Sequence, residues 1–199
     1  MQLNRQEIEI RIDAIFNLYK QYGHENYGEG VTQLMHMVQA GKLAQKESYD
    51  DEMVLAAFFH DIGHFLEESE SMGAYGKMAH DQLGKKYLAE VGFPERMGIL
   101  VASHVDAKRY LTYSNPEYYN LLSDASKKTL EYQGGPMTAE EAADYEKDPL
   151  LERYIKLRYW DDQAKEIDVP VNPADLDMFR EMALKYLLAQ NGSAAYLTS

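Results

Sequence analysis

The chain has 199 residues, of which 20 are Lys or Arg and 33 are Asp or Glu, so its formal net charge is −13. This charge repels polyanions and argues against nucleic acid as a partner, while the length suits one compact domain with a full hydrophobic core. Cysteine is absent, which excludes disulfides and thiolate ligands, so any bound metal must be held by nitrogen and oxygen atoms.

Apolar residues recur at helical spacing along almost the whole chain, beginning with Ile8, Ile12, Ile15 and Tyr19. No run of alternating apolar and polar residues is long enough for a sheet. The pattern therefore predicts an all-α fold in which residues 1–190 form a single helical domain and residues 191–199 a flexible tail. After the first helix, further helices are predicted at residues 31–46, 51–62, 76–91, 95–104, 123–131, 138–146, 149–165 and 173–189.

Local signals mark several helix starts and loops. Asp50 and Asp51 can cap the third helix, Thr138 with Glu141 has the pattern of a capping box, and Asn172 precedes a proline at a first helical position. Glycine-rich segments predict loops at residues 22–30, 67–76 and 133–137.

The chain has no apolar run near the roughly 20 residues that a membrane span requires, and its start does not resemble a signal peptide. We therefore expect a soluble, cytoplasmic protein with no membrane partner. The sequence leaves open whether this protein is a monomer or a homodimer.

The most informative local feature is the adjacent pair His60–Asp61, which is followed by Gly63 and His64. Histidine is a common ligand of transition metals, and a carboxylate can bridge two ions. Adjacent helical residues point about 100° apart, so the pair can serve one metal centre only where the helix ends or distorts. Gly63 makes such an ending plausible.

His36, His80 and His104 lie in three other predicted helices, and a bundle can bring such residues to one interior point. A single histidine on an apolar helix is more often a hydrogen-bonded core residue than a ligand. Here, however, five of the six histidines fall within about 70 residues, and each buried imidazole would need its own partner. The pattern therefore favours a metal site, with only His24 left over.

These residues, together with Asp161, resemble the HD-domain superfamily of metal-dependent enzymes. Longer strings resemble the PhnZ-type phosphonate oxygenases of that superfamily, from about residue 20 to about residue 165. The strings are Tyr27–Glu29, Gln33–His36, His60–His64, His104–Tyr110, Ser126–Met137 and Trp160–Asp161.

The resemblance implies an HD-domain helical bundle with two iron ions in its core, an Fe(II)/Fe(III) pair, and dioxygen as co-substrate. It implies that one iron is bound by His36, His60 and Asp161. The other iron would be bound by His80 and His104, and Asp61 would bridge the two. It also implies that Tyr27 and His64 occupy the second iron in the resting enzyme and move aside for substrate.

Asp162, next to Asp161 in the sequence, could be the metal ligand instead, and the sequence alone does not decide between the two. Asp161 is favoured because it directly follows Trp160 in the family string. Asp162 would then be a solvated surface carboxylate.

The implied reaction cleaves the C–P bond of (R)-1-hydroxy-2-aminoethylphosphonate or of its trimethylammonio analogue. Its products are inorganic phosphate with glycine or glycine betaine. Lys108 lies one helical turn beyond His104, so a continuing helix would place its cation beside that ligand and towards the phosphonate. Ser126, Thr129 and Gln133 have helical spacing and could donate hydrogen bonds to the phosphonate oxygens.

The remaining charges offer alternatives. Arg158 and Arg109 could add positive charge near the substrate, or could simply pair with carboxylates. Glu29 could bind a primary ammonium group. A trimethylammonium group would instead suit an aromatic cage, for which the candidates are Tyr22, Tyr27 and Tyr75.

An HD-domain phosphohydrolase that acts on a nucleotide or a small phosphate ester is the alternative function. It would use a metal-activated water and would need the HD ligands but not Tyr27, His64 or the Ser126–Met137 string. A non-catalytic, metal-stabilised binding protein would leave Lys108 without a role.

Overall fold

Ten α-helices and one short 3₁₀ helix make up the part of the chain that the computed structural model describes, residues 3–26, 29–66 and 79–196. The helices are α1 (Arg5–Tyr22), α2 (Gln33–Lys46), α3 (Asp51–Phe59), the 3₁₀ helix (Ile62–Phe65), α4 (His80–Val91), α5 (Glu95–Ser114), α6 (Pro116–Leu121), α7 (Asp124–Tyr132), α8 (Ala139–Tyr145), α9 (Leu151–Gln163) and α10 (Pro173–Tyr196). These ranges contain no strand, so the all-α prediction is confirmed.

The predicted helix starts are confirmed by their hydrogen bonds. The Asp50 side chain accepts from the backbone N–H of Met53 at the start of α3, and Thr138 with Glu141 forms a complete capping box on α8. The Asn172 side chain accepts from the backbone N–H of Ala174 at the start of α10.

Several predicted boundaries were wrong. Helix α5 continues to Ser114 instead of ending at residue 104, and α10 continues past residue 189 to Tyr196. Helix α6 was not predicted, although Asn115 caps it and Pro116 occupies its first turn. The predicted loop at residues 67–76 and the predicted start of α4 at 76–78 lie outside the described residues.

Helix α3 lies at the centre of the bundle. Its residues 53–59 are all buried, and it packs against α2, α5, α9 and α10. The ring of Phe58 stacks on Tyr19 with centroids 4.6 Å apart and on Phe179 with centroids 4.2 Å apart. This packing leaves the end of α3, where the His60–Asp61 pair lies, little freedom to move.

No helix within the described ranges combines the length and the apolar character that crossing a membrane would require.

Candidate metal centre and adjoining cavity

The backbone changes conformation at the His60–Asp61 pair. Helix α3 ends at Phe59, His60 keeps helical angles of φ −53° and ψ −35°, and Asp61 turns to φ −102° and ψ 9° before the 3₁₀ helix begins. This confirms the expectation that the helix ends where the two side chains must face one centre.

Gly63 brings the start of α4 into direct contact with this segment. A Cβ atom at Gly63 would lie 1.8 Å from the backbone oxygen of His80, which no real side chain tolerates. Only glycine therefore allows the two backbones to approach so closely, and the approach carries His80 to the side of Asp61.

The first group of side chains faces one oxygen of the Asp61 carboxylate. Oδ2 of Asp61 lies 3.7 Å from Nε2 of His36 and 3.6 Å from Nε2 of His60. Oδ1 of Asp161 lies 3.2 Å from His36 Nε2 and 3.8 Å from His60 Nε2. The ligand atoms of His36, His60 and Asp161 all lie within 4.8 Å of one another, which is close enough for one metal ion.

The second group faces the other oxygen of the same carboxylate. Oδ1 of Asp61 lies 3.4 Å from Nε2 of His80, 3.5 Å from Nε2 of His104 and 3.9 Å from Nε2 of His64. The rings of His64 and His80 stack with centroids 4.0 Å apart. Asp61 thus lies between two sets of nitrogen and oxygen atoms, and the buried cluster could hold a dinuclear metal site.

Backbone carbonyls determine which nitrogen of three imidazoles faces the centre. The Nδ1 atoms of His36, His60 and His104 lie 2.8 to 2.9 Å from carbonyl oxygens. A carbonyl only accepts, so each Nδ1 carries a hydrogen and Nε2 is the atom of each ring that faces the centre. The carbonyls belong to Ala164, Ala57 and Val101.

These inward nitrogens call for a cation. Nε2 of His36 and Nε2 of His60 are 3.1 Å apart. Although burial opposes its charge, Asp161 and Asp61 raise the pKa of His36, so a proton can be shared between the two nitrogens. When both rings are neutral, neither Nε2 can donate to the other. A metal ion that accepts both lone pairs would remove this repulsion. The residues present therefore fit a metal with nitrogen and oxygen ligands.

The protonation states also suit metal binding. Burial, together with the neighbouring imidazoles, lowers the pKa of His64 well below its ordinary value and that of His104 to about 4. Burial opposes the charge of Asp61, but the surrounding histidines keep the pKa of this carboxyl well below its usual range. His64 and His104 are therefore neutral and Asp61 is charged at neutral pH, and these are the forms that bind metals.

Arg158 holds Asp161 from the side away from the histidines. Nη1 of Arg158 donates to Oδ2 of Asp161 at 2.8 Å, and although burial opposes the charge, Arg158 keeps the pKa of Asp161 well below its ordinary value. The guanidinium also donates to Asp162 and, through Nε, to the hydroxyl of Tyr118 at 2.9 Å. Asp162 is thus a partner of Arg158 and not the solvated surface carboxylate that we expected.

A cavity of about 80 Å³ adjoins the metal cluster. Six residues that the sequence suggested for substrate binding line it: Glu29, Lys108, Ser126, Thr129, Gln133 and Arg158. The lining on the side away from the histidines includes Glu29, Gln33, Lys108, Ser126, Thr129, Gln133, Arg158 and Lys165.

Lys108 reaches this cavity because α5 continues past His104. It is 3% exposed, and its Nζ donates to Oγ1 of Thr129 at 2.8 Å. Burial, and then the charge of Arg158, lowers its pKa to about 7. The cavity thus contains a lysine that an anionic ligand would help to keep protonated.

Lys165 is a cavity residue that the sequence reasoning missed. Its Nζ donates to Oε1 of Glu29 at 2.7 Å, to Oγ of Ser126 at 3.2 Å and to Oγ of Ser123 at 3.3 Å. Glu29, predicted as a partner of the substrate, is therefore already paired. In the helix predicted at residues 149–165, Lys165 follows Asp161 by four residues, so the spacing that singled out Lys108 would also have indicated Lys165, although α9 itself ends at Gln163.

Two glutamines present buried amide oxygens at the cavity. Oε1 of Gln33 and Oε1 of Gln133 have no hydrogen-bond partner, and both residues line the cavity. A buried acceptor without a partner is costly, so these side chains are suited to a bound ligand. Gln133 was predicted as a site residue and Gln33 was not.

Arg109 does not face the cavity between Lys108 and Lys165. Its Nε donates to the carbonyl of Gly135 at 3.1 Å and its Nη2 to Glu141 at 2.7 Å, so it holds the loop at residues 133–137. Gly134 and Gly135 have φ of 94° and 77°, a conformation that favours glycine in this loop.

The predicted aromatic cage does not form from the described residues. Tyr22 lines a different cavity, next to Phe65. Tyr27 and Tyr75 lie outside the described residues, so the predicted displacement of Tyr27 stays a prediction.

Comparison with known proteins agrees with this site. The HD domain family matches residues 34–157. The chain is 39% identical over 175 residues to [1-hydroxy-2-(trimethylamino)ethyl]phosphonate dioxygenase (glycine-betaine-forming) of Leisingera caerulea, covering 84% of this chain and 85% of that protein. It is 39% identical over 158 residues to hydroxymethylphosphonate dioxygenase of Gimesia maris, covering 78% of each chain. It is also 41% identical over 188 residues to an uncharacterized protein of Acanthamoeba polyphaga mimivirus, covering 92% of this chain and 85% of that protein.

Proposed function

This chain belongs to the HD-domain family, and we propose that it is a diiron oxygenase that cleaves the C–P bond of a small 1-hydroxyphosphonate with dioxygen. Relatives named as hydroxyphosphonate dioxygenases support the oxygenase role. The observation that carries the proposal is the position of Asp61, whose two oxygens face separate groups of histidines beside a cavity with two lysines.

The proposed ligands follow the two groups around Asp61. One iron would be held by His36, His60 and Asp161, and the other by His80 and His104, with Asp61 between them. Bound as an Fe(II)/Fe(III) pair, the irons would activate dioxygen, which is the oxidant of the reaction.

His64 is the ligand that we propose to be displaced by substrate. Its Nε2 lies 3.9 Å from Asp61, farther than the corresponding atoms of His80 and His104 at 3.4 and 3.5 Å. Burial lowers its pKa well below the ordinary value, so the ring is neutral and can bind a metal through Nε2.

The cavity side chains would bind and orient the phosphonate. Lys108 supplies charge, while the hydroxyls of Ser126 and Thr129 and the amide of Gln133 supply further hydrogen bonds. Arg158 would act mainly as a positioning residue, because its donors are directed to Asp161, Asp162 and Tyr118.

The overall reaction balances with one dioxygen and no other co-reactant. R–CH(OH)–PO₃²⁻ and O₂ give R–COO⁻, HPO₄²⁻ and H⁺: the C–P bond and the C1–H bond break, and carbon is oxidised while O₂ is reduced. An aminomethyl or trimethylammoniomethyl group as R gives glycine or glycine betaine, the products predicted from the sequence. Hydrogen as R gives formate.

An assay of oxygen-dependent phosphate release tests the proposal. Protein purified in air should contain about two irons per chain and show a mixed-valent magnetic signal after mild reduction. With air it should release phosphate from at least one of hydroxymethylphosphonate and the two 2-substituted 1-hydroxyethylphosphonates. Zinc, manganese or magnesium, with oxygen-independent hydrolysis of a nucleotide or phosphate ester, would identify a phosphohydrolase instead.

A further inference from the structure

Lys165 and Glu29 form an ion pair at the cavity wall that the proposed reaction does not use. Their side chains are 19% and 25% exposed, and the Nζ–Oε1 distance is 2.7 Å. The hydroxyl of Ser123 donates to the same carboxylate oxygen at 2.7 Å. The carboxylate of Glu29 is thus held by a cation and a hydroxyl before any substrate is present.

Lys165 also contacts the residue at which we expect the phosphonate to bind. Its Nζ lies 3.2 Å from the hydroxyl oxygen of Ser126, while Nζ of Lys108 lies 3.5 Å from the carbonyl oxygen of the same residue. The two ammonium groups therefore both approach Ser126. A phosphonate at Ser126 would meet two lysines, which suits its two negative charges.

We propose that Lys165 sets the charge preference of this cavity: it is a second phosphonate-binding cation, and by neutralising Glu29 it makes the cavity select 1-hydroxyphosphonates without an ammonium group. This inference rests on the proposed function. It narrows the substrate class to hydroxymethylphosphonate or a comparably small 1-hydroxyphosphonate that carries no cationic group.

The charges of the described lining support this choice. Away from the histidine cluster they comprise Lys108, Lys165, Arg158 and Glu29, and Arg158 is already paired with Asp161 and Asp162. An ammonium group on the substrate would have to share the single carboxylate of Glu29 with Lys165. Two cations so close to one anion repel each other, which disfavours binding of the second.

The shape of the cavity points the same way. None of its described lining residues is Phe, Tyr or Trp, so that part of the wall supplies no aromatic face for a trimethylammonium group. The volume of about 80 Å³ is also small beside the roughly 300–1,000 Å³ of sites for larger ligands.

Kinetics of iron-loaded Lys165→Met test the inference against Lys156→Met as a matched control. Lys156 forms an exposed ion pair with Glu47 at 2.6 Å, and neither residue lines the cavity. We expect the wild type and the control to have kcat/KM at least about tenfold higher for hydroxymethylphosphonate than for (R)-1-hydroxy-2-aminoethylphosphonate.

Lys165→Met should change the ratio of the kcat/KM values for the two substrates and not only the overall rate. Loss of one charged hydrogen bond should lower kcat/KM for hydroxymethylphosphonate roughly ten- to hundredfold. The aminated substrate should lose less, because Glu29 becomes available to its ammonium group. A wild type that prefers the aminated substrate, or an equal loss for both substrates, would overturn the inference. Partial unfolding or poor iron loading cannot explain a changed ratio.

Equilibrium binding separates failure of this inference from failure of the proposed function. Methylphosphonate and 2-aminoethylphosphonate lack the hydroxyl group, so calorimetry can measure their binding to the iron-loaded protein without turnover. The wild type should bind methylphosphonate more tightly than 2-aminoethylphosphonate. Lys165→Met should lose that preference, and Lys165→Arg should retain it. If no phosphate is released in any assay but this pattern holds, only the proposed reaction is wrong. Equal affinities in the wild type, or an unchanged preference in Lys165→Met, would show that Lys165 only supports the fold.

Discussion

Replacing Lys108 by methionine should separate the energetic cost of burying this cation from its use in binding. Lys108 is 3% exposed, and its Nζ has two protein acceptors, Oγ1 of Thr129 at 2.8 Å and the carbonyl of Ser126 at 3.5 Å. Methionine keeps an unbranched apolar side chain in the same space and removes the charge. The variant should therefore be more stable without metal and bind phosphonates less well.

The pKa of Lys108 gives the size of the effect on stability. Burial lowers this pKa from 10.5 to about 7, and each tenfold change in proton affinity corresponds to about 1.4 kcal/mol, so the upper bound at pH 6 is ~5 kcal/mol. Replacing buried charges with apolar groups has gained about 1–4 kcal/mol in other proteins. We expect the free energy of unfolding of metal-free Lys108→Met at pH 6 to be higher than that of the wild type by about 1–4 kcal/mol.

The pH dependence has a definite sign. The unfolded chain keeps the lysine proton up to about pH 10.4, whereas the folded chain releases it near pH 7. Between these values the unfolded state binds more protons, so this lysine makes the wild type more stable as pH rises. The advantage of the Lys108→Met variant should be full below pH 7 and should shrink steadily towards pH 10.

Urea unfolding of the metal-free proteins at pH 6 and pH 9 measures this difference, with Lys156→Met as a surface control that should change stability by less than about 0.5 kcal/mol. The iron-loaded Lys108→Met protein should bind methylphosphonate roughly ten- to hundredfold more weakly, since it loses a charged hydrogen bond. A variant that is less stable than the wild type at pH 6, or that binds methylphosphonate as tightly, would refute the reasoning.

Two further substitutions test the metal centre. Asp61→Ala removes the carboxylate that faces both histidine groups, so iron measured by elemental analysis should fall from about two per chain to nearly none. The control Asp162→Asn should keep its iron. Iron retained in Asp61→Ala would mean that the bridge is misassigned. Gly63→Ala would place a Cβ 1.8 Å from the backbone oxygen of His80, so both the melting temperature and the iron content should drop. In the control Gly192→Ala, the added Cβ meets nothing within 4 Å, so this variant should retain iron and gain about 0.5–1 kcal/mol of stability. Equal behaviour of the two alanine variants would contradict the close approach of the backbones at Gly63 and His80.

Helical periodicity predicted most of the fold because each long helix buries one face. It failed where a helix is too short to display a period, as in α6 with its six residues. It also placed the end of α5 too early, although the sequence has no stop signal before Asn115. The helix predicted at residues 51–62 ends at Phe59 instead. Gly63 indicated an ending near the His60–Asp61 pair, and the physical reason for it is the contact with α4.

The histidine cluster was predictable because imidazoles are rare and their positions match separate helices of one bundle. The contacts of Lys165 with Glu29 and of Asp162 with Tyr118 were not, because they join residues 136 and 44 positions apart. Such pairs depend on tertiary packing, and an isolated lysine or aspartate in an acidic chain gives no local sign of its partner.

Dioxygen consumption and phosphate release, followed together in one reaction of the iron-loaded protein with hydroxymethylphosphonate, test the oxygenase activity most directly. We expect one phosphate and one formate per dioxygen consumed, no phosphate without oxygen, and no phosphate from Asp61→Ala. Phosphate release that continues without oxygen, or iron-loaded protein that consumes no oxygen with any 1-hydroxyphosphonate, would contradict the proposed activity.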